Sequence, residues 1–325
     1  MAKELTDKQL LKESLKKFGY VAEDSIKDVI ENYQDPQVRK DYKFLYLMIN
    51  STMKHSLREG MYYTNPRKEN VVADVKIKAN FIYQSMLSRY NTPRKYLGYT
   101  RNIAPNMTKY FIAEVTKLKA KVKPRCYPWL KRSSLDVNEE YERKIDWTGN
   151  DTTKYPKIKV ATVLSSVDIN WLYMTYDVEE IEYGNVFYYE SDPTSYTQAI
   201  EKHLNYWLSE FNNAKPGTEE YDHAKKMIEK PYEQWGARTL STKDIWYTPK
   251  IGNKTANLAT AIYVTCYARV TLNKMMNRFY GQVVSVTPDS ISLKLRSGQT
   301  KETIVRKLTK LGLYGVNEFG KWYVE

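Results

Sequence analysis

The chain has 325 residues, 51 Lys+Arg against 38 Asp+Glu, a formal net charge of +13, and 42% hydrophobic residues. That apolar fraction can fill a core of about two ordinary domains or one large one, and it excludes wholesale disorder. No stretch approaches about 18 consecutive apolar residues, charges interrupt the first twenty, and Cys126 and Cys266 are too few for a disulfide framework. A spanning helix and a signal peptide are therefore not expected, and a reducing compartment is.

In chain order, residues 1–58 read as helical, with apolar residues three and four apart (Leu10, Leu11, Leu15, Phe18; later Tyr42, Leu45, Leu47, Met48). Residues 60–66 suggest a loop or edge strand. Alternation over 69–77 predicts a strand, and 81–87 turns helical. A strand-rich stretch, 109–123, is followed by Pro124, Pro128 and the basic pair Lys131-Arg132, and a polar tract separates it from a strand at 158–164. Ser165 has the small polar side chain of a helix N-cap, with Ile169, Leu172 and Tyr173 carrying that helix. Residues 178–189 return to strand. Helical patterns at 194–212 and 218–236, joined through Pro216-Gly217, predict an antiparallel hairpin. A long helix over 258–277 precedes a β-hairpin of 282–286 and 290–295, and 305–312 is a last basic helical piece.

Tyrosine dominates the aromatics, with 29 Tyr against 8 Phe and 7 Trp. A tyrosine beside lysine or arginine can stack on a base and reach a phosphate, but AT-rich coding produces the same bias without a binding role. The basic faces are Lys131-Arg132, Lys117 to Lys123, Arg269 with Lys274 and Arg278, and Arg306, Lys307 and Lys310. Each is also what a solvated helix or strand face looks like.

Several segments, in fixed order over residues 56–323, resemble the polymerase core of protein-primed family B DNA polymerases of small tailed phages. They are Leu130-Lys131-Arg132-Ser133-Ser134 with Glu140-Tyr141, Ser165-Ser166-Val167-Asp168-Ile169, and Tyr176-Asp177-Val178-Glu179-Glu180-Ile181-Glu182-Tyr183. The resemblance implies an α+β fold, with a palm of antiparallel sheet and helices plus a two-helix fingers hairpin. It divides the chain into a helical N-terminal segment (1–58), a first part of the palm (59–193), the fingers (194–236) and a second part of the palm (237–325).

Carried over by motif, the resemblance implies nucleotide-binding roles for Tyr83, Lys225 and Tyr232, and DNA-binding roles for Lys131, Arg132, Ser133, Arg269 and Ser290. The family's DxxSLYP motif aligns with Lys78 to Gln84, so Lys78 stands where the metal-binding Asp belongs. In the triphosphate-binding motif, Lys225 and Tyr232 match, while Glu229, Lys230 and Glu233 replace Asn, Ser and Gly; Pro231 marks a kink or an end there. The YxDTDS motif reads Val284 to Ser290, keeping Asp289 and Ser290 and replacing the first Asp by Thr287. Asp289 is the residual catalytic and metal candidate, and it is equally a turn residue. Asp74 is the alternative metal ligand, although four strand residues separate it from position 78 by about 13 Å.

Two-metal nucleotidyl transfer needs paired carboxylates around ions about 3.5–4 Å apart. One Asp beside a lysine predicts little or no polymerase activity, hence no cofactor, whereas an active chain would need Mg²⁺ or Mn²⁺. Residues 1–58 are too short for the family's exonuclease, and no length remains for its thumb. The leading expectation is thus a phage-replication protein that binds DNA in the cytoplasm of a bacterial host without membrane contact, alone or with a partner subunit supplying exonuclease and thumb. The alternatives are an active minimal polymerase with unusual metal ligands and a protein-interaction scaffold with no affinity for DNA.

Overall fold

A computed structural model describes residues 63–65, 68, 70–130, 162–191, 195–232 and 258–325. The expected helices of 1–58 and the basic segment with Lys131, Arg132 and Ser133 lie outside these residues.

The described chain runs β1 (Tyr63–Thr64), β2 (Val75–Ala79), α1 (Ile82–Arg89), β3 (Pro93–Arg101), β4 (Tyr110–Val122), β5 (Thr162–Ser165), α2 (Ser166–Thr175) and β6 (Tyr176–Ser191). It continues through α3 (Ser195–Asn213), α4 (Glu219–Tyr232), α5 (Leu258–Arg278), β7 (Val283–Thr287), β8 (Ser290–Leu293), α6 (Lys301–Lys310) and β9 (Trp322–Val324). Two antiparallel sheets result, one five-stranded in the order β1-β7-β8-β2-β9 and one four-stranded in the order β3-β6-β4-β5. The architecture is α+β.

In β2 the alternation Val75, Ile77 and Ala79 inward, Lys76 and Lys78 outward, puts one face on the core and leaves one polar. The strand starts later than the sequence pattern suggests: 71–73 are irregular and the chain bends at Asp74, which accepts bonds from Lys294 Nζ and Leu295 N, both at 2.7 Å. Strand β3 was not expected from its mixed sequence. It is an edge strand, templated by the 16-residue β6. Helix α6 begins at Lys301 rather than 305, with Thr303 Oγ1 accepting Thr300 N at 3.3 Å as an N-terminal cap.

Helix α5 is apolar on nearly every side and touches both sheets. Its Tyr263 hydroxyl accepts from Phe111 N at 2.9 Å and donates to Phe111 O at 2.8 Å, tying the helix to the start of β4. Two turns on, Arg269 meets Asp168, which is fully buried on α2. Asp168 also closes the cap of α2: Ser165 N and Oγ donate to its carboxylate at 3.1 and 3.0 Å, and its own N donates back to Ser165 Oγ at 3.2 Å. The cap expected from the sequence forms, and its acidic member doubles as the anchor for α5.

Helices α3 and α4 pack as the expected hairpin. Pro231 sits in the last turn of α4, where its missing N–H leaves Met227 O without the usual intrahelical partner. His203 of α3 supplies the donor, with Nε2 3.0 Å from Met227 O. The imidazole is completely buried, and that burial, only partly offset by the bond to Met227, depresses its pKa. A depressed histidine stays neutral in the fold but protonates in the unfolded chain near its ordinary value of about 6.5. Stability from this residue is therefore full above about pH 6.5 and falls as the pH drops below it. Thermal midpoints measured from pH 7.5 to 5 should decline, and His203→Gln should flatten part of that decline while keeping a donor for Met227 O.

Candidate functional site

Strand pairing decides what meets at the outward face of β2. Lys78 lies opposite Ser290 of β8 on one side and Tyr323 of β9 on the other. Asp289, in the turn joining β7 to β8, is fixed there by its backbone O, which accepts Ala79 N at 2.8 Å. Lys78 Nζ consequently stands 3.9 Å from Asp289 Oδ2 and 3.8 Å from Glu325 Oε1. Tyr323 OH donates to Glu325 Oε1 at 3.2 Å, and Lys76 Nζ lies 3.7 Å from Glu325 Oε2. The result is an ammonium between two carboxylates.

Partial burial works against the charge on Lys78, but Tyr323, Asp289 and Glu325 together outweigh it and hold its pKa above the ordinary lysine value. Lys78 is thus a permanent cation at neutral pH. Thr287 donates to Asp289 Oδ1 at 3.0 Å and bonds the Ser290 hydroxyl. Its hydroxyl orders the Asp289 carboxylate.

The residues present do not fit a pair of divalent cations. Among the described residues no group of three or more His, Cys, Asp or Glu side chains could hold a metal ion. A cation brought to Asp289 would share that carboxylate with the Lys78 ammonium, 3.9 Å from Oδ2, and the two positive charges would repel. Asp74, at the opposite end of β2, is committed to Lys294 and Leu295 N, and those two bonds hold its pKa low. Asp74 and Asp289 are not brought together.

The other residues singled out in the sequence are dispersed. Tyr83 lies in the first turn of α1 and is half-buried against the core. Phe81, between them, adopts left-handed φ 43°, held by edge-on packing against Phe211 and Phe319 at 5.5 and 5.7 Å. Lys225 is exposed on α4, and Tyr232 ends that helix. Ser290 is buried at 1% exposure. Arg269 points inward, donating to Asp168 at 3.0 Å and stacking 5.9 Å from the Trp129 ring, so a phosphate would have to displace Asp168 to reach it. The sequence reading missed Glu325. Only the register of β9 on β2 brings it to Lys78, and no local motif signals it.

No family model matches the chain, and no curated protein does. Solved structures match its fold. Phi29 DNA polymerase complexed with primer-template DNA, in a post-translocation binary complex, superposes with a TM-score of 0.62 at 15% identity, covering 97% of this chain and 51% of that one. This chain has the fold of about half of phi29 DNA polymerase. Phi29 polymerase with primer-template DNA and incoming nucleotides gives 0.61 at 15% identity over 98% and 52% of the two chains, and with single-stranded DNA 0.60 at 15% over 97% and 51%. The chain spans about half the length of the phi29 polymerase chains it matches.

Proposed function

We propose that this protein is a polymerase-derived nucleic-acid-binding protein that performs no two-metal nucleotidyl transfer of its own. The single observation carrying the loss of chemistry is the Lys78 ammonium between Asp289 and Glu325. In the fold it resembles, divalent ions would align the attacking and leaving oxygens. Here Lys78 neutralises the carboxylates, and Thr287 uses its hydroxyl on Asp289.

Binding is supported by the net charge of +13 and by the likeness to a polymerase whose solved structures hold primer-template and single-stranded DNA. A phosphate backbone releases counterions when lysines and arginines neutralise it, which favours sequence-tolerant, salt-sensitive affinity. In this reading the two sheets with α5 form the palm, α3 and α4 form the fingers, and the setting is phage DNA replication in a bacterial cytoplasm.

Primer extension with Mg²⁺ and then Mn²⁺, paired with electrophoretic shifts at about 50 and 200 mM salt, tests this. The expected result is a shift that weakens at least tenfold across that salt range, with no extension. Extension abolished by Asp289→Ala would establish an active polymerase with other ligands. Absence of both signals would leave the protein-interaction scaffold.

A further inference from the structure

Positive charge gathers at the end of the five-stranded sheet away from Lys78. Helix α5 ends at Arg278, and the chain reverses at Gly281, where φ is +81°. Three cations from separate elements converge on the backbone carbonyls of this turn. Lys68 Nζ, from the segment after β1, donates to Gly281 O at 2.6 Å. Arg296, from the segment after β8, donates to Tyr280 O at 3.1 Å, and Lys307 of α6 donates to Arg278 O at 2.6 Å. Cations are favourable at a helix C-terminus, so capping accounts for part of the gathering. It does not account for all of it. Arg278 is exposed on the same turn, and Lys294 adds a charge whose counterion, Asp74, is already shared with Leu295 N.

Among the described residues no carboxylate lies within ion-pairing distance of Lys68, Arg278, Arg296 or Lys307. The crowding is felt. Burial, then Arg296 and Lys294, lowers the pKa of Lys68; burial, then Arg296 and Arg278, lowers that of Lys307. In the middle of these charges Tyr280 is 43% exposed, its ring 5.2 Å from Tyr127, which packs edge-on against Tyr63 at 5.6 Å. An exposed aromatic braced from behind and ringed by cations is the arrangement on which single-stranded nucleic acids stack a base while their phosphates are neutralised.

We infer that the turn 278–281, with Lys68, Lys294, Arg296 and Lys307 around it, is a binding surface for single-stranded nucleic acid. This rests on the nucleic-acid-binding reading above and adds a location distinct from the Lys78 face, beyond the Asp74 end of β2. Tyr280 stacks a base, and the cations hold the flanking phosphates.

The test is fluorescence anisotropy of the full chain with a 5′-labelled oligo(dT) of about 20 nucleotides, titrated at several salt concentrations. Arg278→Glu and Tyr280→Ser leave the backbone carbonyls and their capping cations in place. Arg278→Glu should raise Kd about tenfold and reduce the slope of log Kd against log salt by at least about 0.7, the increment for one single-strand phosphate. Tyr280→Ser should raise Kd about fivefold or more with the slope unchanged. Lys202→Glu, an equal charge change on α3, should change neither. Ultraviolet cross-linking of the unaltered protein should label the peptide holding residues 278–281.

If the wild-type chain binds but both variants match it and the cross-link falls elsewhere, this surface is overturned and the general reading stands. If all charge variants weaken binding equally, net charge is responsible and the surface is overturned. No binding by the wild-type chain overturns both. Binding to phosphatidylserine vesicles but not to the oligonucleotide assigns the patch to a lipid surface and overturns the inference.

Discussion

Replacing Asp168 by alanine should cost the fold about 3–5 kcal/mol, the range for removing one partner of a buried ion pair. The carboxylate is fully buried and serves three elements at once. It receives Arg269 of α5 at 3.0 Å, the Cys266 thiol at 2.8 Å, and Ser165 N and Oγ at the start of α2. Cys266 reports the environment: burial, then the Asp168 carboxylate, drives its thiol pKa far above the ordinary value, so the sulfur keeps its proton and donates it to Asp168. Removing the carboxylate leaves a guanidinium of 13% exposure without its anion and takes away half of a capping box.

Urea unfolding checks this, read as a lower midpoint at unchanged slope. A companion Asp168→Ala/Arg269→Met chain should recover a large part of the loss, because the penalty lies in the stranded charge more than in the missing attraction. A loss under about 1 kcal/mol for Asp168→Ala would mean that Arg269 finds solvent or another partner. α5 would then not depend on this anchor.

The second large effect is a gain. Lys78→Asp should create weak divalent-ion binding where the wild-type protein has none at the same site, because it puts a third carboxylate between Asp289 and Glu325 in place of an ammonium. Asp289 and Glu325 are 44% and 43% exposed, so water competes for the ion, and the expected Kd for Mn²⁺ is on the order of 10⁻⁴–10⁻³ M, as in weakly built oxygen-ligand sites. Electron paramagnetic resonance of free Mn²⁺ gives the measurement. Lys78→Ala separates the two contributions, since it removes the positive charge without supplying a ligand and should bind more weakly than Lys78→Asp. Equal Mn²⁺ binding by wild type and Lys78→Asp would show that the ammonium does not exclude cations and would weaken the proposed loss of nucleotidyl transfer. Stability should change little, because exposed pairs such as these contribute about 0–1 kcal/mol.

The secondary structure was legible where local patterns were strong. The cap at Ser165, the α3–α4 hairpin across Pro216-Gly217, the long apolar α5 and the β7–β8 hairpin all carry periodicity or turn chemistry within a few residues. β3 was not legible, because an edge strand of mixed polarity takes its conformation from the neighbour that pairs with it. The pairing of Pro231 with His203 was also out of reach. The proline announces an orphaned carbonyl, but only the packing of α3 on α4 shows which side chain satisfies it.

The sequence alone determined that the chain is basic and that several of its segments resemble, in order, those of a polymerase core, a resemblance that drew attention to Lys78, Thr287 and Asp289; these are properties of residues along a line. Tertiary structure decided what those side chains meet. The register of β9 on β2 brings Glu325 to Lys78, the turn after β7 brings Asp289, and the C-terminal end of α5 gathers Lys68, Arg296 and Lys307 from segments far apart in the chain. Electrostatic interactions act over a few ångströms of space regardless of sequence separation, so charges that look like separate solvated faces in the sequence become one neutralised cage and one concentrated cationic surface only when the strands pair.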